Sequence, residues 1–87
     1  MARRKLVAGN WKMNGSRAAL AELDAVAAAA QAAPGIDVAM AVPFTLIAPA
    51  AERVPSLSIG AEDVHERDSG AHTGCVSAGM VKEAGAR

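Results

Sequence analysis

The chain has 87 residues, enough for one small domain whose core is thin unless something else covers it. Lys and Arg number 9 and Asp and Glu number 9, a balance that argues against nucleic acid or an anionic membrane as the partner, since both select basic patches. Hydrophobic residues reach 52% with only 2% aromatic, so alanine-rich helices lying close on a sheet are expected rather than an aromatic-lined cavity.

Arg3-Arg4-Lys5 is the one basic run and reads as a solvated chain start. Leu6-Val7-Ala8 follows, too short for a secretory apolar region, and reads as a buried strand over 5–8. Residues 10–15 form a loop with glycine at both edges, Gly9 and Gly15. Ser16 is positioned to cap a helix running to about residue 33, with Leu20, Leu23, Val26, Ala27 and Ala30 on one face. Glu22, Asp24 and Gln31 interrupt its alanines, so no membrane span is expected. Pro34-Gly35 stops it.

Residues 36–42 read as a second strand, apolar on both faces apart from Asp37, as in a strand covered by helices. A second helix is expected over 45–54, with Leu46, Ile47, Ala50, Ala51 and Val54 sharing a face and Pro49 in or near the first turn. A third strand follows at 57–61. Residues 62–76 are long, polar and glycine-rich, a kind of loop that usually serves binding or assembly. Ser77 can cap a last helix over 78–84, with Gly85 as its stop. The alternation of strand and helix predicts an α/β fold with parallel strands, either a doubly wound sheet or part of a (β/α)₈ barrel.

The strongest functional signal is Gly9-Asn10-Trp11-Lys12-Met13-Asn14-Gly15, directly after the first strand. Parallel α/β folds place ligands at that end of the strand. Lys12 supplies a point charge for an anion, Asn10 an amide donor, and Trp11 an anchor for the loop. On chemistry alone, a solvated lysine in a polar turn is the plainer account.

The motif resembles the first loop of the triosephosphate isomerase family. The likeness continues in Val42-Pro43-Phe44, in Ile59-Gly60-Ala61-Glu62-Asp63-Val64, in residues 69–77 (Ser-Gly-Ala-His-Thr-Gly-Cys-Val-Ser), and in Met80 with Glu83-Ala84-Gly85-Ala86. It covers essentially the whole chain, in order. The resemblance implies the first three βα units of a TIM (β/α)₈ barrel, forming a single partial domain over 1–87. It implies interconversion of dihydroxyacetone phosphate and glyceraldehyde 3-phosphate by proton transfer through an enediol(ate), with no cofactor or metal. By resemblance Asn10 and Lys12 are catalytic, and Asn10, Trp11 and Lys12 bind substrate. Lys12 would hold the phosphate and the developing negative charge.

The resemblance also implies a homodimer. The resemblance makes residues 69–77 a loop that enters the partner, with Thr73, Gly74 and Cys75 at the interface and Met13 and Asn14 in the matching contact. The tip would buttress the partner's Asn and Lys. Cys75 stands where the family usually has an acidic residue, and Glu62-Asp63 where many relatives have amides. The single cysteine allows no intramolecular disulfide and fits a reducing, cytoplasmic setting. The family's catalytic histidine and glutamate fall on later strands than these three, so residues 1–87 alone are expected to be inactive.

A rival reading makes the chain a non-catalytic βα-repeat that folds or self-assembles through its open sheet edges. A metal site at His65, His72 and Cys75 with Glu62, Asp63 and Asp68 is disfavoured, because a closed zinc site needs four ligands and is usually richer in cysteine. Gly70 to Gly74 lacks the Gly-Lys-Ser/Thr of a phosphate-cradling loop.

Overall fold

A computed structural model describes residues 3–87. Three strands form one parallel sheet in the order β1-β2-β3: β1 Lys5–Asn10, β2 Ile36–Val42 and β3 Ser58–Ala61. Helices α1 Ala21–Gln31, α2 Phe44–Arg53 and α3 Ala78–Ala84 follow the strands in turn, so the fold is α/β. The β2 bounds match the sequence expectation, and the register ties Val7 to Val38 and Met40 to Ile59.

Side chains alternate across a strand, so the register sorts the sheet into two faces. Val38, Met40 and Val42 of β2 and Ile59 and Ala61 of β3 pack with the helices. The core there joins Leu20, Leu23 and Ala27 to Leu46, Ile47, Ala50 and Val81. The opposite face carries mostly small residues: Ala8, Ala39, Ala41, Ser58 and Gly60, with Asn10 paired to Ala41 at its upper edge. Among the described residues helices cover β2 on one face.

Several boundaries differ from the sequence reading. The first strand is not buried: Leu6 is 66% and Val7 54% exposed, because β1 is an edge strand and no described element lies over it. It also runs on through Gly9 and Asn10, so Asn10 belongs to the strand end rather than the loop. The Ser16 side chain does not cap a helix. Its carbonyl accepts from the Ala19 N–H and a 3₁₀ turn at Ala18–Leu20 leads into α1. The alanine helix ends two residues early, at Gln31.

Pro49 is the sixth residue of α2, beyond the first turn, because the helix starts at Phe44. Interior proline forfeits one helical bond, here the one to the carbonyl of Thr45, an exposed residue that water can reach. The amphipathic stripe of Leu46, Ile47 and Ala50 keeps the helix seated despite that loss. At α3 the expectation holds: Ser77 Oγ accepts from the Met80 N–H at 3.2 Å, and Gly85 ends the helix at φ 119. A side chain at Gly85 would meet the Ala51 Cβ at 2.6 Å, so glycine is needed there for α3 to rest on α2.

Two exposed ion pairs tie elements together. Arg53 of α2 donates to Asp24 of α1 through Nε at 2.9 Å and a terminal nitrogen at 2.8 Å. Those hydrogen bonds, more than the charge attraction, hold the Asp24 carboxyl below its ordinary range. Arg4 bonds Asp37 and the Pro34 carbonyl, pinning the foot of β1 to β2. No described helix is long and apolar enough to cross a membrane.

Candidate functional site

The first loop is built from the end of β1. The Trp11 N–H donates to the Ala41 carbonyl at 3.0 Å, extending the ladder one residue beyond Asn10. The Asn10 carboxamide oxygen accepts from the Lys12 N–H at 2.7 Å, and the Asn14 side-chain amide donates to the Trp11 carbonyl at 2.8 Å. Among the described residues Lys12 is the one non-glycine with positive φ, at 57. L-residues avoid that region unless their surroundings hold them there.

Trp11 is half-buried and packs against the core cluster. Gly15, at φ 109, lies beneath its ring: an added Cβ would meet Trp11 Cε3 at 2.7 Å and Leu46 Cδ1 at 3.1 Å. The loop thus has a fixed floor in Trp11 and Gly15. Asn10 and Lys12 are exposed above it and joined to each other. The Asn10 oxygen is occupied, which leaves its NH₂ group as a donor toward a ligand oxygen. Lys12 makes no ion pair among the described residues, so its ammonium is free for an anion.

The polar segment after β3 is folded back on itself. The His65 N–H donates to the Val76 carbonyl at 2.8 Å, and His65 and Ser77 form a parallel bridge that closes the loop at its neck. The rings of His65 and His72 stack at 4.0 Å with 25° between planes. His65 Nδ1 accepts from the Arg67 N–H at 3.0 Å, and the Cys75 N–H donates to the His72 carbonyl at 3.0 Å. Thr73, Gly74 and Cys75 are exposed at the far end, and Met13 is 96% exposed on the first loop. Among the described residues no three His, Cys, Asp or Glu side chains converge as a metal cage.

Comparison with known proteins gives these loops a context. The family model described as triosephosphate isomerase matches residues 5–87. The chain belongs to the triosephosphate isomerase family. It is 57% identical over 86 residues to the triosephosphate isomerase of Dinoroseobacter shibae, covering 97% of this chain and 34% of that protein. To the triosephosphate isomerase of Xanthobacter flavus it is 51% identical, with the same coverage. A crystal structure of triosephosphate isomerase from Bartonella henselae superposes with a TM-score of 0.89 at 40% identity, over 97% of this chain and 35% of that one. The chain spans about a third of the length of the curated relatives it matches. The three parallel βα units are therefore the corresponding part of a TIM barrel, and of the two architectures left open by strand–helix alternation the doubly wound sheet is set aside.

Sequence reasoning singled out Asn10, Trp11 and Lys12 of this triosephosphate isomerase loop, and the structure brings them onto one turn. Met13 and Asn14 are exposed on the first loop, and Thr73, Gly74 and Cys75 are exposed on the loop after β3. Two features escaped the sequence reading. One is the bond from Asn14 to Trp11, signalled only by an asparagine three residues on in a turn. The other is the His65–His72 stack, which spacing alone does not reveal.

Proposed function

We propose that residues 1–87 supply the first substrate-binding loop of a triosephosphate isomerase, acting in glycolysis and gluconeogenesis in the cytoplasm. The substrate is a phosphorylated triose, and the reaction moves a proton between its first two carbons through an enediol(ate). Lys12 holds the anionic substrate and stabilises the negative charge that develops on oxygen, while Asn10 donates its NH₂ to a substrate oxygen. Trp11 seats the loop. The observation that carries this reading is Lys12 held in the left-handed region, its N–H on the Asn10 carboxamide, at the C-terminal end of a parallel strand. A loop backbone held in this way leaves less to reorder when charge appears.

In this reading the 87 residues form one partial domain and work as part of a homodimer, with Met13, Asn14, Thr73, Gly74 and Cys75 at the partner contact. Residues 1–87 alone do not interconvert the triose phosphates, since the family's histidine and glutamate come from other strands. The test grafts residues 1–87 in place of the matching third of the Dinoroseobacter shibae enzyme. The graft is expected to isomerise glyceraldehyde 3-phosphate, and Lys12→Ala in it to lower kcat/KM by about 10²–10³-fold. A graft whose kcat and KM are untouched by Lys12→Ala contradicts the reading.

A second reading, a self-assembling βα fragment, is favoured by one observation: the open β1 edge with Leu6 and Val7 exposed. An unpaired apolar edge is a template for other chains.

A further inference from the structure

A single peptide unit in the first loop has both of its polar atoms taken by side-chain amides. The N–H of the Trp11–Lys12 peptide donates to Asn10 Oδ1 at 2.7 Å, and its carbonyl accepts from Asn14 Nδ2 at 2.8 Å. That plane cannot rotate without breaking one of the two bonds. It is also the plane that defines φ of Lys12, which stands at 57. With the plane held, the bond from Asn14 back to Trp11 restrains the turn over residues 11–14; without it Lys12 could relax about φ toward the ordinary regions, and that rotation would move its Cα–Cβ bond relative to the strand end.

The two amides are not equivalent. Asn10 sits at the end of β1, and the proposed function gives its NH₂ to the substrate. Asn14 has its donor committed to the Trp11 carbonyl, and Trp11 is itself immobilised by its N–H on Ala41 and its ring over Gly15. Asn14 thus closes a short circuit: strand end, anchored tryptophan, strained lysine, and back to tryptophan. We propose that Asn14 is a positioning residue for the triosephosphate isomerase reaction, aiming the Lys12 ammonium by locking the peptide plane that precedes it. The inference rests on the reading that Lys12 binds the substrate.

The experiment uses the same graft into the Dinoroseobacter shibae enzyme and measures kcat and KM for glyceraldehyde 3-phosphate. Asn14→Ala is expected to lower kcat/KM about tenfold, the effect of losing one hydrogen bond of ordinary net strength. Asn14→Asp keeps the volume but turns an acceptor toward the carbonyl, and is expected to lose at least as much. In the Lys12→Ala background, with enzyme raised to compensate, Asn14→Ala should lose less than about twofold, because residues acting through one another are not additive. A loss confined to dimer contact would vary with enzyme concentration, whereas the expected loss is the same at concentrations about a hundredfold apart. Full activity in Asn14→Ala and Asn14→Asp, or an equal loss with and without Lys12, overturns the proposal. If instead Lys12→Ala alone leaves kcat/KM unchanged, the substrate-binding reading of Lys12 is what fails.

Discussion

Replacing Gly15 by alanine tests the construction of the loop at its floor. The added Cβ would sit 2.7 Å from Trp11 Cε3, 2.9 Å from Cζ3 and 3.1 Å from Leu46 Cδ1, all closer than van der Waals contact. The Trp11 ring is held from behind by the core, and Leu46 is itself buried, so neither can simply step aside. Overpacking of this kind costs about 1–3 kcal/mol. A φ of 109 at Gly15 adds backbone strain of about 1–3 kcal/mol for any L side chain. The sum is about 2–6 kcal/mol, read as a lower urea midpoint of the graft at unchanged slope. Activity should fall as well, since Trp11 carries the carbonyl that Asn14 grips and the plane that fixes Lys12. A Gly15→Ala graft within about 0.5 kcal/mol of its parent, with normal kcat/KM, would refute the view that glycine and indole form a rigid floor.

Ser77→Ala removes the side-chain acceptor of the Met80 N–H and should destabilise the graft by about 1 kcal/mol, measured by urea unfolding. The Asp24 carboxyl titrates below its ordinary value in the folded chain because Arg53 hydrogen-bonds its ionised form. The unfolded state then binds more protons, so this stabilisation is present above about pH 4 and is lost as pH falls through the depressed value. Asp24→Asn should remove that part of the acid dependence, and raised salt should weaken it in the parent, since the pair is exposed. Residues 1–87 alone should self-associate in sedimentation through the β1 edge, where Leu6 and Val7 lie open. A compact monomer that unfolds cooperatively would contradict that expectation.

Much of the fold was legible because local and global signals agree. The second strand is an apolar run broken only by Asp37 and closed by Pro43, and its bounds follow from those residues alone. The last helix carries both of its punctuation marks, Ser77 and Gly85. The errors have physical causes. Leu6-Val7-Ala8 reads as buried because apolar composition reports what a strand is suited for, not what lies over it. Ser16 reads as a cap because nothing local says that a 3₁₀ turn will intervene. Pro49 was displaced by a boundary one residue off, since the helix begins at Phe44 directly after Pro43.

The candidate site was legible in a different way. Asn10 and Lys12 stand out as amide and cation after a strand, and the resemblance of the whole motif to one family sharpened that into a role. The way the loop is held could not be read from residue types. Lys12 at positive φ runs against its own preference, and only the folded loop shows the two asparagines that make it tenable. Likewise nothing in the residue types shows that the His65 and His72 rings lie face to face, with the Nδ1 of His65 accepting from the Arg67 N–H.

The most direct measurement is a crystal structure of the graft with dihydroxyacetone phosphate bound. The ammonium of Lys12 is expected about 2.7–3.2 Å from a substrate oxygen, with the Asn10 NH₂ donating to the same molecule and Lys12 still left-handed. Substrate bound elsewhere, or bound with the Lys12 side chain turned out to solvent, would contradict the assignment of this loop.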